Sequence, residues 1–276
     1  MDEVKTQVFS QLIILFIITQ FLGLFVGYQI ILTGQQQGII TSDPNDVVNA
    51  VGLIVYILVF TAILLIIMKY YKGFGLFKGL EALVIFGTGL TVFSIFVDYR
   101  IAIVLTIILI LSRIAFKENI MLRNVSSIIA SVGAGALIGT ALGLIPVVTF
   151  VVLLSIYDYI AVFKTKHMVT LAKGITKKNL SFTFAMPTKQ HTFELGTGDI
   201  VIPLTFAVSV LGITSLKFAF PINFISPILI LLGSLIALLF TIDYSSKNIG
   251  KALPALPPQA VTMIVMLGIS FALGLI

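Results

Sequence analysis

Residues 145–163 read IPVVTFVVLLSIYDYIAVF. As a helix, at about 1.5 Å per residue, this run covers most of a hydrocarbon layer of about 30 Å. Its one charge is Asp158, with no Lys or Arg within five residues on either side. A lone carboxylate in hydrocarbon is costly, and an ionisable group inside a spanning segment points to function. The run therefore sets two expectations: helices that cross a membrane, and chemistry at Asp158.

The rest of the chain follows the same pattern. Of its 276 residues 59% are hydrophobic and 10% charged, and its mean hydropathy is +1.16. A soluble domain carries about 25% charge. Further apolar runs lie near Phe9–Leu32, Asn49–Met68, Leu80–Val97, Ile101–Phe116, Val125–Gly143, Asp199–Phe218, Ile222–Ile242 and Pro258–Ile276. With Ile145–Phe163 they make nine expected transmembrane helices in an all-α polytopic membrane protein. The fifth and sixth are joined by little more than GLIP, where Pro146 can restart a helix because proline is tolerated in a first turn.

The charges assign the sides. The formal net charge is +6. In a soluble protein that would suggest nucleic acid, but here the cations sit in loops, so a nucleic-acid partner is set aside and the lipid bilayer takes its place. With the N-terminus and the loops after even-numbered helices on one side, that side holds fifteen of the Lys and Arg residues. The other holds Arg100 and Lys217. By the positive-inside rule the N-terminus is cytoplasmic and the C-terminus extracytoplasmic, in the cell membrane. "MDEVKTQ" at the start has no signal-peptide character. The expected organisation is a membrane part of helices one to six (1–163), a cytoplasmic loop (164–198) and a membrane part of helices seven to nine (199–276). Within the loop, LSFTFAM (Leu180–Met186) alternates apolar and polar residues, which predicts a short strand whose edges invite a partner.

Glu81 lies three residues from Lys78 and is expected to reach the membrane interface beside it; Asp98 and Asp243 read as acids at helix ends. Asp158 and Asp199 differ. Asp158 precedes Lys164 by six residues and Asp199 follows Glu194 by five, which places them roughly 9 Å and 7–8 Å below the cytoplasmic surface by the helical rise. Two acids at similar depth on consecutive antiparallel helices can face each other. Two close carboxylates in a low-dielectric site share a proton. An acid pair of this kind serves general acid–base hydrolysis, one carboxylate activating water while the other polarises the scissile carbonyl. It also serves a proton relay, and depth alone does not choose between them. Around Asp199, Gly196 and Gly198 remove side chains. Before helix nine, Pro254-Ala255-Leu256 within KALPALPP gives a start poor in backbone donors, tolerated at membrane depth only where it is buried in protein or lines a wet cavity.

Tyr157–Asp158, Gly196-Thr197-Gly198-Asp199 and Pro254-Ala255-Leu256, in that order, resemble the YD, GxGD and PAL motifs of the presenilin and signal peptide peptidase family of intramembrane aspartyl proteases. The chain is similar to a compact microbial (archaeal) presenilin homologue. The resemblance implies nine transmembrane helices, Asp158 and Asp199 as catalytic dyad, and a substrate site shaped by Pro254, Ala255 and Leu256. It also assigns Tyr157, Gly196 and Gly198 to the motifs and makes transmembrane segments of other proteins the substrates. Thr197 stands where presenilins commonly carry Leu, and the loop after helix six is much shorter than in animal presenilins, which puts its self-cleavage in doubt. Homo-oligomerisation is left open.

Other chemistries lack their residues. There is no Cys, His167 and His191 lie in the loop without HExxH spacing, and no Ser–His pair falls within an apolar run, so no metal or cofactor is expected. GAGALIGTALG (Gly133–Gly143) has the look of a dinucleotide fingerprint, but its glycines at 135, 139 and 143 lie four apart within an apolar run, the spacing of helix packing. The rival function is a channel or proton-coupled transporter with the aspartates as relay groups; against it stand the acids' position near one face and the absence of an internal repeat.

Overall fold

Away from water, a helix satisfies every backbone donor and acceptor within its own segment, so each apolar run closes into one. The computed structural model describes residues 2–34, 37–70, 75–164, 182–188, 192–247 and 254–276. Among these residues there are nine α-helices: α1 (Asp2–Leu32), α2 (Val47–Tyr70), α3 (Gly75–Ser94), α4 (Tyr99–Ala115), α5 (Ile120–Ala141), α6 (Leu144–Phe163), α7 (Gly198–Lys217), α8 (Ile225–Lys247) and α9 (Leu256–Ala272). Seven are long and apolar enough to cross a membrane; α4 and α9 have 17 residues each. A broad set of large apolar side chains faces outward, among them Phe21, Tyr56, Leu83, Leu216 and Phe240. Such a surface suits lipid, as in a multi-pass integral membrane protein.

The helix carrying Asp199 is the centre of the bundle. α7 is apolar on every side, the pattern of a helix enclosed by others. Leu204, Val208 and Leu211 pack with Leu12 and Phe16 of α1 and Leu238 of α8. Ile202, Phe206 and Val210 pack with Phe150 of α6 and Met263 of α9. Small residues let the neighbours close in: Gly23 and Gly27 of α1, and Gly135 and Gly139 of α5, all meet Leu204 or Val208. Gly143 is different from its expected role. It caps α6, lies against Asn45, and donates its N–H to the Pro44 carbonyl at 2.7 Å. Pro146 falls in the first turn of α6, where a missing donor costs nothing.

Three readings of the sequence change. Helix α3 begins at Gly75 rather than Leu80, so Lys78 lies inside it. Glu81 pairs with Lys78 as expected but is enclosed by protein rather than extended outward. It is 2% exposed, with Arg113 Nε of α4 at 3.2 Å and Lys78 Nζ at 3.2 Å, because a buried carboxylate needs a cation close by. Asp98 caps α4, as its place at a helix end suggested, whereas Asp243 lies within α8 and pairs with Lys5.

The expected strand is half of a hairpin. Strands β1 (Thr183–Pro187) and β2 (Thr192–Gly196) pair antiparallel, with Ala185 opposite Glu194. Leu180 and Ser181, like His167 and His191, lie outside the described residues.

Candidate active site

Asp158 sits one and a half turns before the end of α6 and is 8% exposed. Its Oδ2 accepts a hydrogen bond from the Leu256 backbone N–H at 3.4 Å. Asp199 is the second residue of α7, half-buried, in the first turn where backbone N–H groups have no partner within the helix. Leu154, one turn before Asp158, and Ile202, just after Asp199, lie in one buried cluster, and α9 reaches the second acid too, Gln259 Nε2 donating to the Asp199 carbonyl at 3.1 Å. The two acids, 41 positions apart in sequence, therefore share one site, and the first turn of α9 borders it. The helical-rise depth of Asp199 does not carry over, because the residues between Glu194 and Asp199 form a strand end and a turn. Tyr157 packs on the cluster shared by α6, α7 and α9, and its hydroxyl hydrogen-bonds with that of Thr61 on α2.

The hairpin fixes the approach to Asp199. Its last strand runs into Gly196, and the Thr197 N–H donates back to the Phe182 carbonyl at 3.1 Å. On the other side, α5 holds β1 along its length. Arg123 Nη2 donates to Thr183 Oγ1 at 2.7 Å and lies 2.8 Å from Glu194 Oε2. Asn124 pairs with the Ala185 backbone as another strand would, Nδ2 to the carbonyl and Oδ1 to the N–H, both at 2.8 Å. Gln11 Nε2 of α1 donates to the Pro187 carbonyl at 2.9 Å. With β2 on one edge and these side chains on the other, β1 has no edge left for an added strand.

The motif glycines border space. A Cβ placed on Gly198 would meet nothing within 4 Å among the described residues, and one on Gly196 would meet only Asp199 Oδ2, at 3.8 Å. In the PAL stretch Pro254 is buried, while Ala255 and Leu256 are half-buried and pack on the two main clusters. The YD, GxGD and PAL residues thus gather at the meeting of α6, α7 and α9, with the Tyr157 hydroxyl bonded to Thr61 of α2. Among the described residues no three His, Cys, Asp or Glu side chains gather as a metal site.

This arrangement agrees with the sequence comparison. The profile for signal-peptide peptidase, presenilin aspartyl protease matches residues 13–272. The chain belongs to that family. It is accordingly an enzyme, an aspartyl protease that hydrolyses peptide bonds. Two solved structures of a presenilin family intramembrane aspartate protease, in two space groups, share the fold. One is 20% identical with a TM-score of 0.67, covering 94% of this chain and 96% of its own. The other is 19% identical with a TM-score of 0.68, covering 95% and 99%. No curated protein sequence matches the chain.

Two buried glutamines at the site escaped the sequence reading. Gln259 Nε2 of α9 donates to the Asp199 carbonyl at 3.1 Å, and Gln20 Nε2 of α1 donates to the Ile200 carbonyl at 2.9 Å. A signal for the first was present: Pro203, four residues after Asp199, withholds the N–H that this carbonyl would use in an unbroken helix.

Proposed function

We propose that this protein is an intramembrane aspartic endopeptidase that cuts transmembrane segments of other proteins, with Asp158 and Asp199 as its dyad. The observation that supports this reading is the first turn of α9, which contacts Asp158 Oδ2 and the Asp199 carbonyl, beside a Gly198 whose Cβ position is clear of the described residues. One carboxylate takes a proton from water, and the resulting hydroxide attacks the scissile carbonyl carbon. The other, protonated, gives its proton to the carbonyl oxygen. The tetrahedral intermediate then collapses, the C–N bond breaks, and the leaving nitrogen is protonated by the pair.

The substrate helix has to unwind at the scissile bond, because a helical carbonyl is occupied by its own hydrogen bond. The extended segment passes Gly196 and Gly198, where backbone can come close to Asp199 without side chains between. All nine helices span the cell membrane, α4 and α9 as short crossings of about 26 Å at the helical rise. The N-terminus is cytoplasmic and the C-terminus extracytoplasmic.

The test is cleavage of a transmembrane peptide in detergent or proteoliposomes, with the cut located by mass spectrometry. Asp158→Asn and Asp199→Asn are each expected to abolish cleavage while keeping the parent's thermal unfolding. Substantial cutting by either folded variant removes the dyad. Proton flux through proteoliposomes without any peptide-bond cleavage would favour the relay reading instead.

A further inference from the structure

The first turn of α9 touches both acids by two different routes. The Leu256 N–H points to Asp158 Oδ2 at 3.4 Å. One turn later, on the same face, Gln259 Nε2 reaches the Asp199 carbonyl at 3.1 Å. Between them stand Pro257 and Pro258, which have no N–H to offer either acid.

The Asp199 carbonyl is open to this contact for a reason inside α7. In an unbroken helix it would accept from residue 203, but residue 203 is proline. A carbonyl left alone in a membrane interior is costly. Gln259 supplies the donor from outside the helix and is itself fully buried, while its own Oε1 has no hydrogen-bond partner among the described residues. A glutamine kept only for packing would gain nothing by burying a polar amide, and an apolar side chain of the same length would fill the place.

We propose that Gln259 is a positioning residue for proteolysis: it holds the Asp199 backbone, by the carbonyl that Pro203 leaves without a donor, at the separation from Asp158 that the reaction uses. The proposal rests on the dyad reading above. It assigns α9 a double role, one backbone donor for one acid and one side-chain donor for the other, so that a single helical turn sets the spacing of the pair. Gln20 holds the next carbonyl from the opposite side. That carbonyl still has the Leu204 N–H within helical reach, so Gln20 matters less.

Gln259→Met keeps the stem and removes the amide. It is expected to lower kcat about ten- to a hundredfold, as a small misplacement of a reacting group does, with KM within about threefold of the parent. Pro203→Ala gives the helix back its donor. In that background Gln259→Met is expected to cost about threefold or less. An equal loss of kcat in both backgrounds would show that Gln259 acts by packing, and no loss in the parent background would equally overturn the proposal. Should Gln259→Met fail to fold, the double variant decides: recovery of fold and cleavage supports the proposal, and failure of both overturns it. Asp199→Asn, measured alongside, separates the two claims, since cleavage surviving in that variant removes the dyad itself rather than the role of Gln259.

Discussion

Arg123→Met should loosen the hairpin that leads into Asp199 without dismantling the bundle. Arg123 is 5% exposed and holds Glu194 and Thr183 with contacts of 2.8 and 2.7 Å. Removing one partner of a buried ion pair costs about 3–5 kcal/mol, because the other charge is stranded. Against that stands the apolar anchoring of Phe184, Met186 and Leu195, all buried in the α1–α7–α8 cluster. At about 1.5–3 kcal/mol per side chain they contribute roughly 5–9 kcal/mol. The hairpin therefore stays docked on average but opens more often, by about a hundredfold to a few thousandfold at about 1.4 kcal/mol per factor of ten. Hydrogen exchange at the Ala185 amide reads this directly, since its bond to Asn124 Oδ1 exists only in the docked state. Cleavage should fall with it, because Gly196–Asp199 follow the second strand. Adding Glu194→Leu removes the stranded charge and should recover most of the protection. Unchanged exchange at Ala185 in the single variant, or a double variant that exchanges as fast as the single, would refute the idea that this ion pair holds the hairpin.

Gly198→Ala should fold as the parent does, since its methyl meets nothing within 4 Å among the described residues, yet cleave about tenfold more slowly because the methyl stands in the substrate's path; paired melting and cleavage assays check both halves. Gly139→Ala should do the reverse. Its Cβ would stand 2.7 Å from the Thr205 carbonyl oxygen and 2.7 Å from Val208 Cβ, an overpacking of about 1–3 kcal/mol that appears as a lower melting temperature. If Asp158 and Asp199 form the proposed dyad, the plot of kcat/KM against pH has two limbs: at low pH both acids are protonated and no base is left, and at high pH neither can donate. Because the chain has no cysteine, single cysteines at Thr41 and Lys117 can be labelled with an impermeant reagent. Thr41→Cys should react only from outside and Lys117→Cys only from the cytoplasmic side, and labelling of both from one side would reject the proposed orientation.

The helices were legible because hydropathy alone dictates them: a run such as Ile145–Phe163 has no other way to satisfy its backbone in lipid. Their ends were less so. Residues 75–79, GLFKG, lie outside the third apolar run, yet α3 starts at Gly75 and takes in Lys78, which pairs with Glu81. The two candidate acids stood out by their isolation, since an Asp in an apolar run far from any Lys or Arg has few explanations. The second strand was missed because only Phe193 and Leu195 carry its period, whereas Leu180, Phe182, Phe184 and Met186 carry that of the first. Arg123, Asn124 and Gln259 were invisible for a different reason. Each matters through a partner 60 or 61 positions away, and a single sequence carries no record of which distant residue a buried amide or guanidinium will meet.

The glycines around α7 bear on how this sequence can drift. Leu204 is gripped by Gly23 from one helix and Gly135 from another, and Val208 likewise by Gly27 and Gly139. A larger residue at any of the four glycines has to be answered by a smaller one at 204 or 208. That smaller residue would open a void against the helix on the opposite side. Change at one of these six positions is thus coupled to change at two others, so they are expected to vary together across relatives or to stay as they are. An alignment would test this without any protein being made, and it would locate α7 as the shared axle of the family independently of its aspartate.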